Sequence, residues 1–140
     1  MSDTRRPIPL VDERSAPFWA ASARHELALA RCNRCGAFSH PPESVCPSCG
    51  SEDPRFTFVP VDGRGRLRTW TVVRQSFWPG FDVPFVLVDV ELDAQQGLRM
   101  IGRLVDGTVD HLALELPMQV VFEDVAPGVA VPAFTMVERR

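Results

Sequence analysis

The 140-residue chain contains no lysine and no tyrosine. All fifteen basic residues are arginine, and eighteen acidic residues outnumber them, leaving a formal net charge of -3 at pH 7. That balance gives no global attraction to a polyanion, so charge alone offers nothing to a nucleic-acid partner. Apolar runs such as Phe85 to Val88 fall far short of the roughly 18 residues a membrane span needs. No signal-peptide hydrophobic region follows the first six residues, which makes the cytoplasm the expected compartment and a membrane partner unexpected. Internal repeats and low-complexity tracts are missing. So is a glycine-rich phosphate loop, because Gly63-x-Gly65 has neither a third glycine nor a following helix. What remains, with 45% hydrophobic and 24% charged residues, is the composition of an ordinary globule able to bury one core.

Thirteen prolines break the chain into short elements and disfavour long helices, so a mainly β body is expected. Three segments follow from composition: an N-terminal arm and helix over 1–25, a cysteine-bearing segment over 26–55, and a β-rich domain over 56–140. Ser15, as a hydroxyl cap, and Pro17 start a helix over 16–24, with Ala16, Trp19, Ala20 and Ala23 on one face. Leu27 and Leu29 form a strand that runs into Cys32. A lead-in strand covers 56–61, and 66–74 is a longer strand with Leu67, Thr69, Thr71 and Val73 on one face and Arg66, Arg68, Trp70, Val72 and Arg74 on the other. Segments 85–92 and 98–104 flank a turn; pairing Leu92 with Leu98, Val90 with Met100 and Val88 with Gly102 puts apolar against apolar and Glu91 against Arg99. A short helical or loop segment over 110–114 and strands over 118–125 and 133–138 complete the order of a five-stranded OB-fold barrel.

Cys32-x-x-Cys35-Gly36 and Cys46-x-x-Cys49-Gly50 are two knuckles whose spacing lets four thiolates reach one ion at about 2.3 Å, with no position left open for a substrate. One structural zinc is the expected occupant, with rubredoxin-like iron, redox dithiols or disulfides as alternatives. Zinc in such sites contributes about 10–16 kcal/mol at neutral pH, so the segment should not fold without it. His40, between the knuckles, reads as a packing residue. With the thiols committed to metal, no nucleophile stands beside a base: His25 and His111 lack a suitable serine context, and Asp89 and Glu91 face Arg99 and Arg103 as cross-strand pairs. Catalysis by this chain alone is not expected.

The run Leu27-Ala-Leu-Ala-Arg-Cys-Asn-Arg-Cys-Gly36, then His40-Pro-Pro and Cys46-Pro-Ser-Cys-Gly50, resembles the rubredoxin-like zinc ribbon of the acyl-CoA-associated zinc-ribbon/OB-fold family, a domain of unknown function. Gly63-Arg-Gly65, Pro84-Phe-Val-Leu-Val88, Met118-Gln-Val-Val-Phe-Glu123 and Pro132-Ala-Phe134 extend the resemblance over about residues 18 to 136. It implies a mainly β fold: an N-terminal helix and a rubredoxin-like zinc ribbon, then a five-stranded OB-fold barrel. It further implies a non-catalytic accessory subunit of a thiolase-fold enzyme (aldolase, thiolase or C-acyltransferase) acting on acyl-CoA, in a hetero-oligomer that can contact the CoA.

Two competing expectations are a nucleic-acid module using Arg64, Arg66, Arg68 and Trp70 as phosphate track and stacking platform, and a small-molecule binder using the barrel mouth. Arg34 and Arg74 are the candidate contacts to CoA phosphates. In the proline- and glycine-stiffened loop 75–85, Trp78 and Phe81 flank the tip and are the candidate partner contacts, while Phe77 and Phe85 are expected to fold inward.

Overall fold

The computed structural model describes residues 6–137. Helix α1 (Ala16–Ala23) starts one turn earlier in its capping than the Ser15 signal suggests. The Ser15 N–H donates to Asp12 Oδ1 at 2.7 Å, the Asp12 N–H donates to Ser15 Oγ at 3.1 Å, and the Ala16 N–H reaches the Asp12 carbonyl at 2.9 Å. Asp12 therefore supplies the reciprocal cap, and the Ser15 hydroxyl caps no helix amide. The buried face is Phe18, Ala21 and Ser22; of the expected face, Ala16 and Trp19 are half-buried and Ala20 and Ala23 exposed. Phe18 enters the core shared by ribbon and barrel, and the small residues one turn on let the helix lie close. Buried Ser22 is satisfied by donating to the Phe18 carbonyl at 3.0 Å. Trp19 sits at the margin, edge-on to Phe18 with ring centroids 4.9 Å apart.

The chain then forms an antiparallel three-stranded sheet in the order β2-β1-β3, from β1 (Leu27–Arg31), β2 (Phe38–Ser39) and β3 (Thr57–Val61). Leu27 to Ala30 are all buried, because both faces of this central strand are covered. β3 pairs with β1 from Thr57↔Arg31 to Val61↔Leu27, so the lead-in strand joins the ribbon sheet rather than the barrel. Gln95 clamps the two units: its Oε1 accepts the Phe38 N–H at 2.8 Å and its Nε2 donates to the Phe38 carbonyl at 3.0 Å. A side-chain amide thus stands in for a neighbouring strand at the edge of β2.

Strands β4 (Arg64–Val73), β5 (Phe85–Leu92), β6 (Arg99–Leu104), β7 (Pro117–Ala126) and β8 (Val129–Met136) close a barrel in the order β4-β5-β6-β8-β7. The β5–β6 register is the expected one, with Val88↔Gly102, Val90↔Met100 and Glu91↔Arg99 opposite. The ion pairs run diagonally across it. Arg99 forks onto Asp89 at 2.9 and 2.7 Å, Glu91 meets Arg68 at 3.5 Å, and Arg103 goes to Glu123 at 3.0 Å instead of to β5.

The strict alternation expected along β4 fails at a bulge between Leu67 and Thr69. The extra residue turns Trp70 and Val72 to the side of buried Leu67 and leaves Thr69 and Thr71 outside. β8 begins four residues before the expected 133, in a tight hairpin with β7. The short helical or loop segment expected over 110–114 is a 3-10 turn, Val109–His111, followed by loop. One core unites the molecule: Phe18, Leu27 and Leu29 pack in the same cluster as Leu67, Val88, Val90, Met118 and Phe134 of the barrel. No helix among the described residues is long and apolar enough to cross a membrane.

Candidate metal centre and exposed apolar surfaces

Each cysteine knuckle is a tight turn closed by its glycine. The Gly36 N–H reaches the Cys32 carbonyl at 2.8 Å and the Gly50 N–H the Cys46 carbonyl at 2.9 Å. With φ of 78° and 75°, these two positions demand glycine. The turns bring the sulfurs of Cys32, Cys35, Cys46 and Cys49 within 4.8 Å of one another. Cys32 Sγ lies 3.9 Å from Cys49 Sγ, and Cys35 Sγ lies 3.7 Å from Cys46 Sγ. A tetrahedron with metal–sulfur bonds of about 2.3 Å has edges of about 3.8 Å, so the donor set fits one ion.

The thiols also need that ion. N–H donation from Cys49, joined by Ser48, pulls Cys46 down to about 7, whereas at Cys35 the Ala37 N–H is outweighed by desolvation and the neighbouring sulfurs, which push it up to about 11. Four adjacent thiolates are stable only around a cation. The Arg34 N–H, 3.3 Å from Cys32 Sγ, supports the ligand charge from the second shell of donors. His40 stays outside the cluster, its ring 5.2 Å from that of Phe18, with burial holding it below the ordinary histidine value.

The arginine candidates occupy different settings. Arg34 is turned back onto Asp53, donating to its carbonyl at 3.3 Å and lying 3.6 Å from its carboxylate. Arg74 has no ion pair among the described residues and lines a groove of about 450 Å³ with Val72, Phe85, Val86 and Asp82. The stacking platform imagined on β4 does not form: Trp70 packs on the core, and Arg68 is held by Glu91 and Glu115. Neither of the histidines weighed as bases faces a serine here. His25 Nε2 is 2.8 Å from Asp124 and stacks on Phe122, and His111 Nδ1 takes the Thr108 N–H at 3.2 Å.

In the aromatic loop, Trp78 is 58% exposed, but its exposed companion is Phe77, at 85%, and not Phe81. Phe81 stacks on Phe85, 5.7 Å between centroids, and the Arg6 guanidinium lies 5.6 Å over its ring. The Ser76 hydroxyl donates to the Trp78 carbonyl at 2.6 Å, a tight turn that throws Phe77 outward where proximity to β4 had suggested burial. A Ser two residues before a Trp-Pro-Gly tip was the available signal.

The fold and site define a class: a small metal-stabilised ribbon fused to a closed barrel, with a four-cysteine metal centre and solvent-facing aromatics. Residues 19–55 match the family model described as the ChsH2 rubredoxin-like zinc ribbon domain, and residues 58–123 match that of the ChsH2 C-terminal OB-fold domain. The chain belongs to this zinc-ribbon/OB-fold family, and its metal is one structural zinc.

Two curated relatives are similar in sequence. A probable enoyl-CoA hydratase alpha subunit of Thermomonospora curvata is 30% identical over 92% of this chain and 39% of its own length. The 3-oxo-4,17-pregnadiene-20-carboxyl-CoA hydratase alpha subunit of Mycobacterium tuberculosis is 31% identical over 79% of this chain and 34% of its own. The chain thus spans between a third and two fifths of the length of these relatives.

Among solved structures, a chain of an Ltp2-ChsH2(DUF35) aldolase superposes with a TM-score of 0.80 at 28% identity, covering 91% of this chain and 98% of that one. A DUF35-family protein of unknown function from Sulfolobus solfataricus shares the fold, with a TM-score of 0.59 at 11% identity over 91% and 87% of the two chains.

Proposed function

We propose that the protein is a non-catalytic accessory subunit of a thiolase-fold enzyme that acts on acyl-CoA in the cytoplasm, helping to build the complex and contacting the CoA. The observation that carries this is the superposition on a chain of the Ltp2-ChsH2(DUF35) aldolase over 98% of that chain's length, ribbon and barrel together. The hydratase alpha-subunit relatives also bear CoA thioesters in their names. Chemistry on this chain agrees with a supporting part: four thiols are committed to a closed metal site, and the carboxylates of β5 are spent on arginines. Arg74, unpaired among the described residues in a groove of mixed character that it shares with Arg103, Asp82 and Asp106, suits a phosphate or pantetheine contact better than Arg34, which must first leave Asp53. The exposed Phe77–Trp78 tip replaces Trp78–Phe81 as the aromatic candidate for contact with the enzyme.

Co-expression with a thiolase-fold enzyme from the same source tests this. The pair should co-purify and turn over an acyl-CoA substrate that neither chain turns over alone. Robust activity of this chain by itself, or failure to associate with any such enzyme, would overturn the proposal.

A further inference from the structure

The residues before α1 form an extended segment fastened at both ends and bare in between. At one end Arg6 lies over Phe81 and 3.5 Å from Glu123, in a cleft shared with Gly80, Asp82 and Arg103. At the other, the Asp12–Ser15 cap locks the segment to the helix, and Ser15 lines an apolar cavity of about 220 Å³ with Phe18, Trp19 and Ile101. Five residues lie between Arg6 and Asp12, a reach of at most about 20 Å. Between them Ile8 is 55% and Leu10 96% exposed, with Val11 exposed as well. Pro7 and Pro9 carry no N–H and hold their stretch extended without hydrogen bonds to the barrel.

This geometry joins three exposed apolar elements that are far apart in sequence. The Arg6–Phe81 contact sets the arm beside the loop that carries Phe77 and Trp78, and the cavity at Ser15 sets its other end beside Ile101, which is 65% exposed on β6. Ile8, Leu10, Val11, Phe77, Trp78 and Ile101 together expose roughly several hundred Å² of side chain, the scale at which grouped apolar surface marks an interaction site. No formal charge lies between Pro7 and Val11; Arg6 and Asp82 stand at one end of the arm, and exposed Asp12, Glu13 and Arg14 follow Val11 on the way to Ser15. An apolar, aromatic centre with charges at its margin is how interface cores are composed.

We infer that the arm, the Phe77–Trp78 tip and Ile101 form one continuous docking belt for the enzyme subunit, the arm laid as a pre-extended apolar strap into a groove of that partner. The occupant is the enzyme rather than a second copy because the structural neighbour belongs to an aldolase of two named components and the fold is shared over nearly its whole chain. Because both ends of the strap are already fixed, its ordering costs little at the moment of binding. The inference rests on the accessory-subunit proposal and narrows it to a surface.

The test uses the full chain and its co-expressed thiolase-fold enzyme, with affinity measured by titration. Ile8→Ser with Leu10→Ser, and separately Phe77→Ser with Trp78→Ser, should each weaken association at least tenfold while zinc content and melting temperature stay as in the wild type. Leu114→Ser, an equally exposed position in the segment after the 3-10 turn, should change nothing. If the wild type binds the enzyme and the arm variant binds it as tightly, the belt is wrong while the accessory proposal stands. If the wild type binds no such enzyme, both fall. Dissociation of a homodimer by the arm variant, with enzyme binding intact, would assign the strap to a second copy and overturn the inference as well.

Discussion

Single residues decide whether the metal centre exists. Cys46 is buried, and N–H donation from Cys49 and Ser48 pulls its thiol down to about 7, which favours the thiolate that a metal needs at neutral pH. Cys46→Ser should drop zinc from one per chain to well below that, as measured by metal analysis of the purified protein, with loss of the fixed ribbon fold. For the same reason zinc retention should weaken on acidification, since protons compete for the thiolates and the folded ribbon goes with them. Arg74 belongs to the same scale. Its charge has no partner among the described residues, so Arg74→Ala in the assembled enzyme should raise the acyl-CoA KM several-fold with kcat little changed. Arg34→Ala should do less, because Asp53 already engages that guanidinium.

At the scale of elements, close backbone approach and charge placement within the barrel govern stability. A Cβ on Gly65 would sit against the Glu91 carbonyl and within 2.6 Å of Val90 Cγ1, where β4 crosses β5. Gly65→Ala should therefore cost about 1–3 kcal/mol, read as a fall in denaturation midpoint at unchanged slope. Glu123 on β7 ties β6 and the N-terminal arm together. Its partial burial pushes the carboxyl up, but hydrogen bonding and charge from Arg103, joined by Arg6, pull it further down, leaving it below the usual glutamate value of 4.5. A depressed folded value means stabilisation that is fully present above the ordinary glutamate range and lost as pH falls through the folded value. The stability difference between wild type and Glu123→Gln should accordingly be about 1 kcal/mol near neutrality and vanish in strong acid, as urea titrations at several pH values would show.

The whole molecule behaves as one cooperative body because its core is shared. Phe18 of the helix and Leu27 and Leu29 of the ribbon lie in the same buried cluster as the barrel residues, and the Gln95 clamp crosses the same boundary. Removing zinc with a chelator should then lower the melting transition of the entire chain rather than release the ribbon alone. Single-tryptophan variants retaining either Trp19 on the helix or Trp70 on the barrel would report it: both signals should shift together. A barrel signal that stays in place while the helix signal melts would show that the two units fold independently.

The sequence by itself determined the features whose signals are local. The C-x-x-C-Gly knuckles gave the metal cluster because ligand spacing and a glycine turn are properties of five adjacent residues. The β5–β6 register could be read because period-2 burial and opposite charges act within one hairpin. Where signals depend on distant partners, sequence reasoning failed in ways the structure explains. A one-residue bulge inverted the faces of β4 and set Trp70 partly buried against the core, although nothing in the local residues marks the break in alternation. The helix buried Phe18 rather than the face of Ala16, Trp19, Ala20 and Ala23 because the barrel and ribbon supplied a surface for it, and Phe77 turned outward while Phe81 found Phe85 and Arg6. The strap and its alignment with the aromatic tip and Ile101 exist only as a meeting of segments near residues 10, 80 and 100. Tertiary packing alone decides such meetings, because the free energy that selects which side chains are covered is set by neighbours the local sequence does not contain.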